Sequence, residues 1–141
     1  RGRNNAVNLW PEMFRIVSEV QPSYVFAENV SRKAINEAAK DCASMGYKTE
    51  SIELSAADLG ADHIRKRYWL LAYSDNKSQL QRTVNAKTQR MQEFCEGIWE
   101  TYTGESGVVD GLPSRVDRFR MCGNGQVPSV AAAALWTLAN A

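Results

Sequence analysis

Apolar and polar positions alternate with two different periods along this chain. Leu9, Met13, Ile16, Val17 and Val20 repeat at helical spacing and fall on one face. Asn8 can cap that helix, Pro11 suits its first turn, and Gln21-Pro22 stops it. Tyr24-Val25-Phe26-Ala27 is a short apolar run without alternation, which predicts a strand buried on both faces, as in a parallel sheet. It ends in two polar residues, Glu28-Asn29. In open α/β sheets ligands bind at that end of a strand. Ser31 can cap a second helix whose stripe is Ala34, Ile35, Ala38, Ala39, Cys42 and Met45, with Gly46 as its stop. Ser51 to Ser55 alternates like a strand, a turn is expected around Gly60, and Tyr68 to Ala72 is a further strand. Ser74 to Lys87 is polar and predicts a loop or linker. Met91, Phe94, Cys95, Ile98, Trp99 and Tyr102 fit one helix face, and an Ala-rich helix opening at Pro128 closes the chain.

Helix, strand, helix, strand, loop, strand is the order of an α/β layer structure. Composition agrees: 141 residues, 44% apolar and 23% charged, suit one globular domain. The longest apolar run, Val130 to Trp136, is too short to span a bilayer, so no membrane partner is expected. Three scattered cysteines, Cys42, Cys95 and Cys122, form neither a disulfide framework nor a zinc motif. They read as structural thiols in a reducing cytoplasm, and no metal site is expected.

The net charge of +1 hides a local imbalance. His63 to Arg90 carries 7 Lys/Arg against 1 Asp, whereas Met91 to Gly111 carries 5 acids and no Lys or Arg. A basic stretch is commonly a solvated surface, and it is also how a phosphate-binding edge looks. Each motif has such a plain reading: Glu28-Asn29 as a helix-capping turn, Arg65-Lys66-Arg67 as edge charges, Gly123-Asn124-Gly125 as a tight turn.

Order and spacing together say more. Tyr24-Val25-Phe26-Ala27-Glu28-Asn29-Val30 resembles the Glu-Asn-Val motif of the DNA cytosine-5 methyltransferases, and His63-Ile64-Arg65-Lys66-Arg67 resembles their Gln-x-Arg-x-Arg motif, with His63 in place of Gln. Leu112-Pro113-Ser114-Arg115 through Arg118 and Arg120, and then Gly123-Asn124-Gly125-Gln126-Val127-Pro128, are similar to the closing motifs. Leu9-Trp10-Pro11-Glu12 is similar to the helix before Glu-Asn-Val. Only Ser74 to Thr103 goes unmatched, and the short middle segment looks most like compact phage-type members.

The resemblance implies the C-terminal portion of a Rossmann-like, S-adenosylmethionine-dependent methyltransferase fold with a short target-recognition insertion. Residues 1–73 would belong to the catalytic α/β domain, 74–111 to a reduced recognition region, and 112–141 would return to the catalytic domain. The substrate would be a cytosine flipped out of double-stranded DNA in the cytoplasm of a bacterial or phage-infected cell. Glu28 would bind the pyrimidine edge at N3 and donate a proton, and Asn29 would orient the nucleophile loop. Arg67 would reach the cytosine O2, with Arg65 assisting at phosphate and loop. Asn124 and Gly125 would border S-adenosylmethionine. Arg65, Arg67, Lys77, Arg82 and Arg118 would contact DNA. The family's Pro-Cys nucleophile and Gly-rich cofactor loop have no counterpart in these residues, so the chain is expected to act with an N-terminal half, in the same or a separate chain, or to self-associate. A non-catalytic DNA-binding remnant or a regulatory subunit of a modification system is the alternative.

Overall fold

The computed structural model describes residues 8–60, 64–86 and 127–141. Helix α1 (Trp10–Val20) leads into strand β1 (Tyr24–Asn29), helix α2 (Arg32–Ser44) and strand β2 (Lys48–Leu54). A 3-10 turn at Ala57–Leu59 and strand β3 (Arg67–Tyr73) follow. A helix over 78–86, here α3, and α4 (Pro128–Asn140) complete the described chain. The expected helix around Met91 to Tyr102, together with Cys95 and Cys122, lies outside the described residues.

The three strands form one sheet in the order β1-β3-β2. Both ladders are antiparallel: Glu28 lies opposite Trp69, and Ile52 lies opposite the same residue from the other side. This corrects the parallel pairing expected for β1. β1 and β2 do run in the same direction, joined through α2, but β3 returns between them. The strand buried on both faces is therefore β3, whose Trp69, Leu70, Leu71 and Ala72 are all buried. Among the described residues β1 is an edge strand, with Val25 its one buried residue. An apolar run identifies a strand but does not say which one becomes central.

Alternation along the strands divides the core into two layers. On one face Trp69 and Leu71 pack against Val130, Ala134 and Leu138 of α4, with Phe26 stacked on Trp69 at 5.4 Å. On the other, Leu70 meets Ile35 and Ala38 of α2, while Val25 and Ala72 meet Val17, Cys42 and Tyr47. The result is helix, sheet, helix, an α/β arrangement with a small open sheet.

Local signals explain the ends of the elements. The Ser31 hydroxyl accepts from Ala34 N at the start of α2. At its end Gly46 sits at φ +91°, with Gly46 N donating to Ala43 O and Tyr47 N to Cys42 O. That pair of bonds is a Schellman motif, and it requires the left-handed residue that glycine supplies. α1 stops at Gln21, itself left-handed at φ 47° before Pro22. The sequence places five apolar residues on one face of α1, yet only Val17 is buried. Leu9 and Val20 are 68% and 67% exposed, and Met13 and Ile16 also face outward.

The loop expected from Ser74 to Lys87 is corrected by α3. Asn76 Oδ1 accepts from Ser78 N, and Leu80 and Val84, one turn apart, turn inward. Two apolar residues at i and i+4 hold this helix, too few to register as a period. Lys77 just before it donates to both carboxylate oxygens of Glu50 at 2.6 Å and to the carbonyls of Leu138 and Ala141 at 3.1 and 2.8 Å. It thus ties β2 to the C-terminal end of α4, where carbonyls lack helical partners. Lys77→Ala is expected to destabilise the fold by about 2 kcal/mol, measurable by urea unfolding, because Glu50 then loses a charged partner in a part-buried setting.

Candidate functional site

Glu28 is the penultimate residue of β1 and points to the α4 side of the sheet, since it lies directly across from Trp69. Arg67, the first residue of β3, lies on the same face. Arg67 Nε donates to Glu28 Oε1 at 2.8 Å, and the two side chains keep 17% and 21% of their surface exposed. Arg67 also donates to Lys66 O at 2.7 Å. Half-buried Arg65 completes the group: Glu28, Arg65, Arg67, Trp69, Val127 and Val130 line one small cavity at the start of α4. A carboxylate and two guanidinium groups therefore converge at the end of β1, beneath the first turn of the closing helix.

Asn29 is one residue further and so faces the opposite side. Its Oδ1 accepts from Ser31 N at 2.9 Å, the turn that launches α2. It also lines a second, larger cleft of about 520 Å³ with Leu9, Trp10, Met13, Ala34, Ile35 and Ala38. Glu28 borders this cleft as well. Trp10 anchors its wall, donating from Nε1 to Asp41 Oδ2 at 2.7 Å.

The remaining expected positions are scattered. Lys77 sits beyond the other end of β3, in the clamp described above. Arg82 is on the exposed side of α3. His63, Arg118, Arg120, Asn124 and Gly125 lie outside the described residues. Cys42 is fully buried, and burial, reinforced by Asp41, pushes its thiol pKa up. A thiol so placed resists forming the thiolate a nucleophile needs.

Two features carried no sequence signal. Lys66 Nζ pairs with Glu53 Oε1 at 2.6 Å, and Arg32 with Glu53 Oε2 at 3.4 Å, while the Arg32 guanidinium lies over the Tyr68 ring. The Lys66 hydrogen bond, then that of Tyr68, holds the Glu53 carboxyl below the usual carboxylate range. So one of the three basic residues of the Arg65-Lys66-Arg67 run points away from the other two, toward β2. The second is Asp58, whose Oδ2 accepts from both Ser55 N and Ser55 Oγ at 2.7 Å and closes the turn leading toward Arg65.

Those bonds lower the Asp58 pKa, the backbone one most. A carboxyl whose folded pKa is depressed contributes stability that is present above its unfolded pKa. That stability is lost as pH falls through the folded pKa. Asp58→Asn is therefore expected to flatten the acid limb of a Tm-against-pH curve below about pH 4, while a curve as steep as that of the parent would refute the assignment.

No helix among the described residues is long and apolar enough to cross a membrane. Among curated proteins none matches the chain. The profile of one protein family does match, over residues 1–114, which takes in α1, the Glu28 end of β1, and the whole of β3. The chain accordingly belongs to the C-5 cytosine-specific DNA methylase family.

Proposed function

We propose that this chain is part of a DNA cytosine-5 methyltransferase and that Glu28, Arg65 and Arg67 receive the flipped cytosine. The observation that carries this reading is the Glu28–Arg67 pair, which lines one pocket together with Arg65. Cytosine presents an amino donor at C4, an acceptor at N3 and an acceptor at O2 along one edge. A carboxyl that takes up a proton as the base binds, beside a guanidinium, complements that edge: Glu28 meets N3 and the amino group, and Arg67 meets O2. The base then replaces the bond that the two side chains make to each other.

The chemistry follows from that placement. A cysteine thiolate adds to C6, and Glu28 passes a proton to N3, so that no net negative charge builds on the ring. C5 becomes the nucleophile that takes the methyl group. A water or other base takes the C5 proton as the thiolate leaves C6, which restores the ring, and the N3 proton returns to Glu28. Arg67 holds O2 throughout and Arg65 steadies the neighbouring phosphate. S-adenosylmethionine, when bound, supplies the methyl group; Asn124 and Gly125 would border it. Arg82 and Arg118 extend the DNA contact, and we read Lys77, which bonds Glu50, Leu138 O and Ala141 O, as a residue of the fold.

The thiolate is not Cys42. We place it in an N-terminal part of the enzyme, carried by the same or a separate chain, which packs on the exposed α1 face and the outer edge of β1. Leu9, Met13, Ile16 and Val20 give that face its apolar character, and among the described residues no strand pairs with that edge. Sedimentation of the chain as a clean monomer that binds no hydrophobic dye would count against this docking face, and dimers would assign it to a second copy.

The direct test is transfer of labelled methyl groups to duplex DNA by the assembled enzyme, with 5-methylcytosine identified in the product. DNA binding without any such product would favour a non-catalytic remnant.

A further inference from the structure

The indole Nε1 of Trp69 is buried and has no hydrogen-bond partner among the described residues. Trp69 as a whole is 1% exposed. An orphaned N–H in that setting is rare, because burial strips its water and nothing replaces it. Trp69 also lines the small cavity it shares with Glu28, Arg65, Arg67, Val127 and Val130. The cavity measures about 10 Å³, close to the least that admits one water. Its lining brings together Trp69, the Glu28 carboxyl and the side chains of Arg65 and Arg67. Val127 and Val130 add hydrocarbon to the lining.

We propose that a single ordered water sits there, accepting the Trp69 Nε1–H and donating to the Glu28 carboxylate, which makes Trp69 a positioning residue for Glu28. The sheet register supports it: Trp69 and Glu28 are directly paired across β1 and β3, so their side chains leave the sheet together. Phe26, stacked on the indole, restrains the ring. A carboxylate held by Arg67 on one side and by this water on the other has little freedom to turn. The water site stands on geometry alone; its role in catalysis rests on the proposed methyl transfer.

The test is nuclear magnetic resonance on the ¹⁵N-labelled chain. The chain has four tryptophans, and the indole signal that disappears in Trp69→Phe identifies Trp69, with Phe keeping the stack on Phe26. The expected result is a cross-peak from a long-lived water to the Trp69 indole proton, and a shift of that proton's resonance in Glu28→Gln. No water cross-peak, or a resonance indifferent to Glu28→Gln, overturns the proposal. In the assembled enzyme Trp69→Phe is expected to lower kcat about tenfold with KM for DNA unchanged. A water cross-peak together with undiminished methyl transfer in Glu28→Gln would keep the water site and overturn the methyl-transfer reading instead.

Discussion

Glu28→Gln is expected to lower methyl transfer by the assembled enzyme about 10²–10⁴-fold, the usual worth of a positioned proton donor. Gln has the size and shape of Glu and can still accept from Arg67, so the fold and the basic surface survive. It has no proton to give to N3. DNA binding, followed by gel shift at fixed salt, is therefore expected to persist while product formation collapses. Unchanged activity would remove Glu28 from the reaction. Loss of both would point to the Glu28–Arg67 pair as a structural bond and not a base receptor. Arg67→Met is the companion variant, because it deletes the partner while preserving the length of the stem.

Leu70→Ala is expected to cost about 2–5 kcal/mol in chemical unfolding. Leu70 is fully buried at the centre of β3 and packs on Ile35 and Ala38 of α2. Both neighbours belong to a helix pinned at each end, by Ser31 and by the Gly46 motif, so the layer has little room to collapse into the cavity. A domain of this kind holds about 5–15 kcal/mol in total, so the variant is expected to keep its fold with a much reduced margin and a lower denaturation midpoint. A loss below about 1 kcal/mol would mean that α2 and β3 are not packed as described.

What could be read from residue order was chiefly local. α1, α2, α4 and all three strands are legible as apolar runs or periods, α2 with the Ser31 cap and Gly46 stop expected of it, and Glu28, Arg65 and Arg67 stand out by their positions beside strands. What escaped depends on distant partners. Nothing in Tyr24–Ala27 says that β3 and not β2 will lie beside it, because antiparallel and parallel neighbours are equally content with an apolar run. α3 has only Leu80 and Val84 as a signal, and these matter because the α4 layer waits to receive them. Lys77 looks like one more cation in a basic stretch until Glu50 and the end of α4 are brought to it. Trp69 looks like an ordinary core aromatic; its unsatisfied indole is visible only when its surroundings are known. Asn29 shows the reverse case. Its reading as a helix-launching turn and its reading as part of a site coexist, since it makes the turn to Ser31 and also borders the cleft beside α1.

The order β1-β3-β2 has a consequence for how this chain leaves the ribosome. β1 and β2 do not bond to each other; each finds its ladder only in β3, as Tyr24 and Lys48 both pair with Tyr73. Until residues 67–73 have cleared the exit tunnel, two strands are already synthesised without the partner they share. Helix α2, with its own caps, can form early and hold β1 and β2 facing the same way at the spacing of one absent strand. Synthesis of Arg67–Tyr73 then supplies the missing strand in a single step, and the cation that meets Glu28 arrives at its leading end.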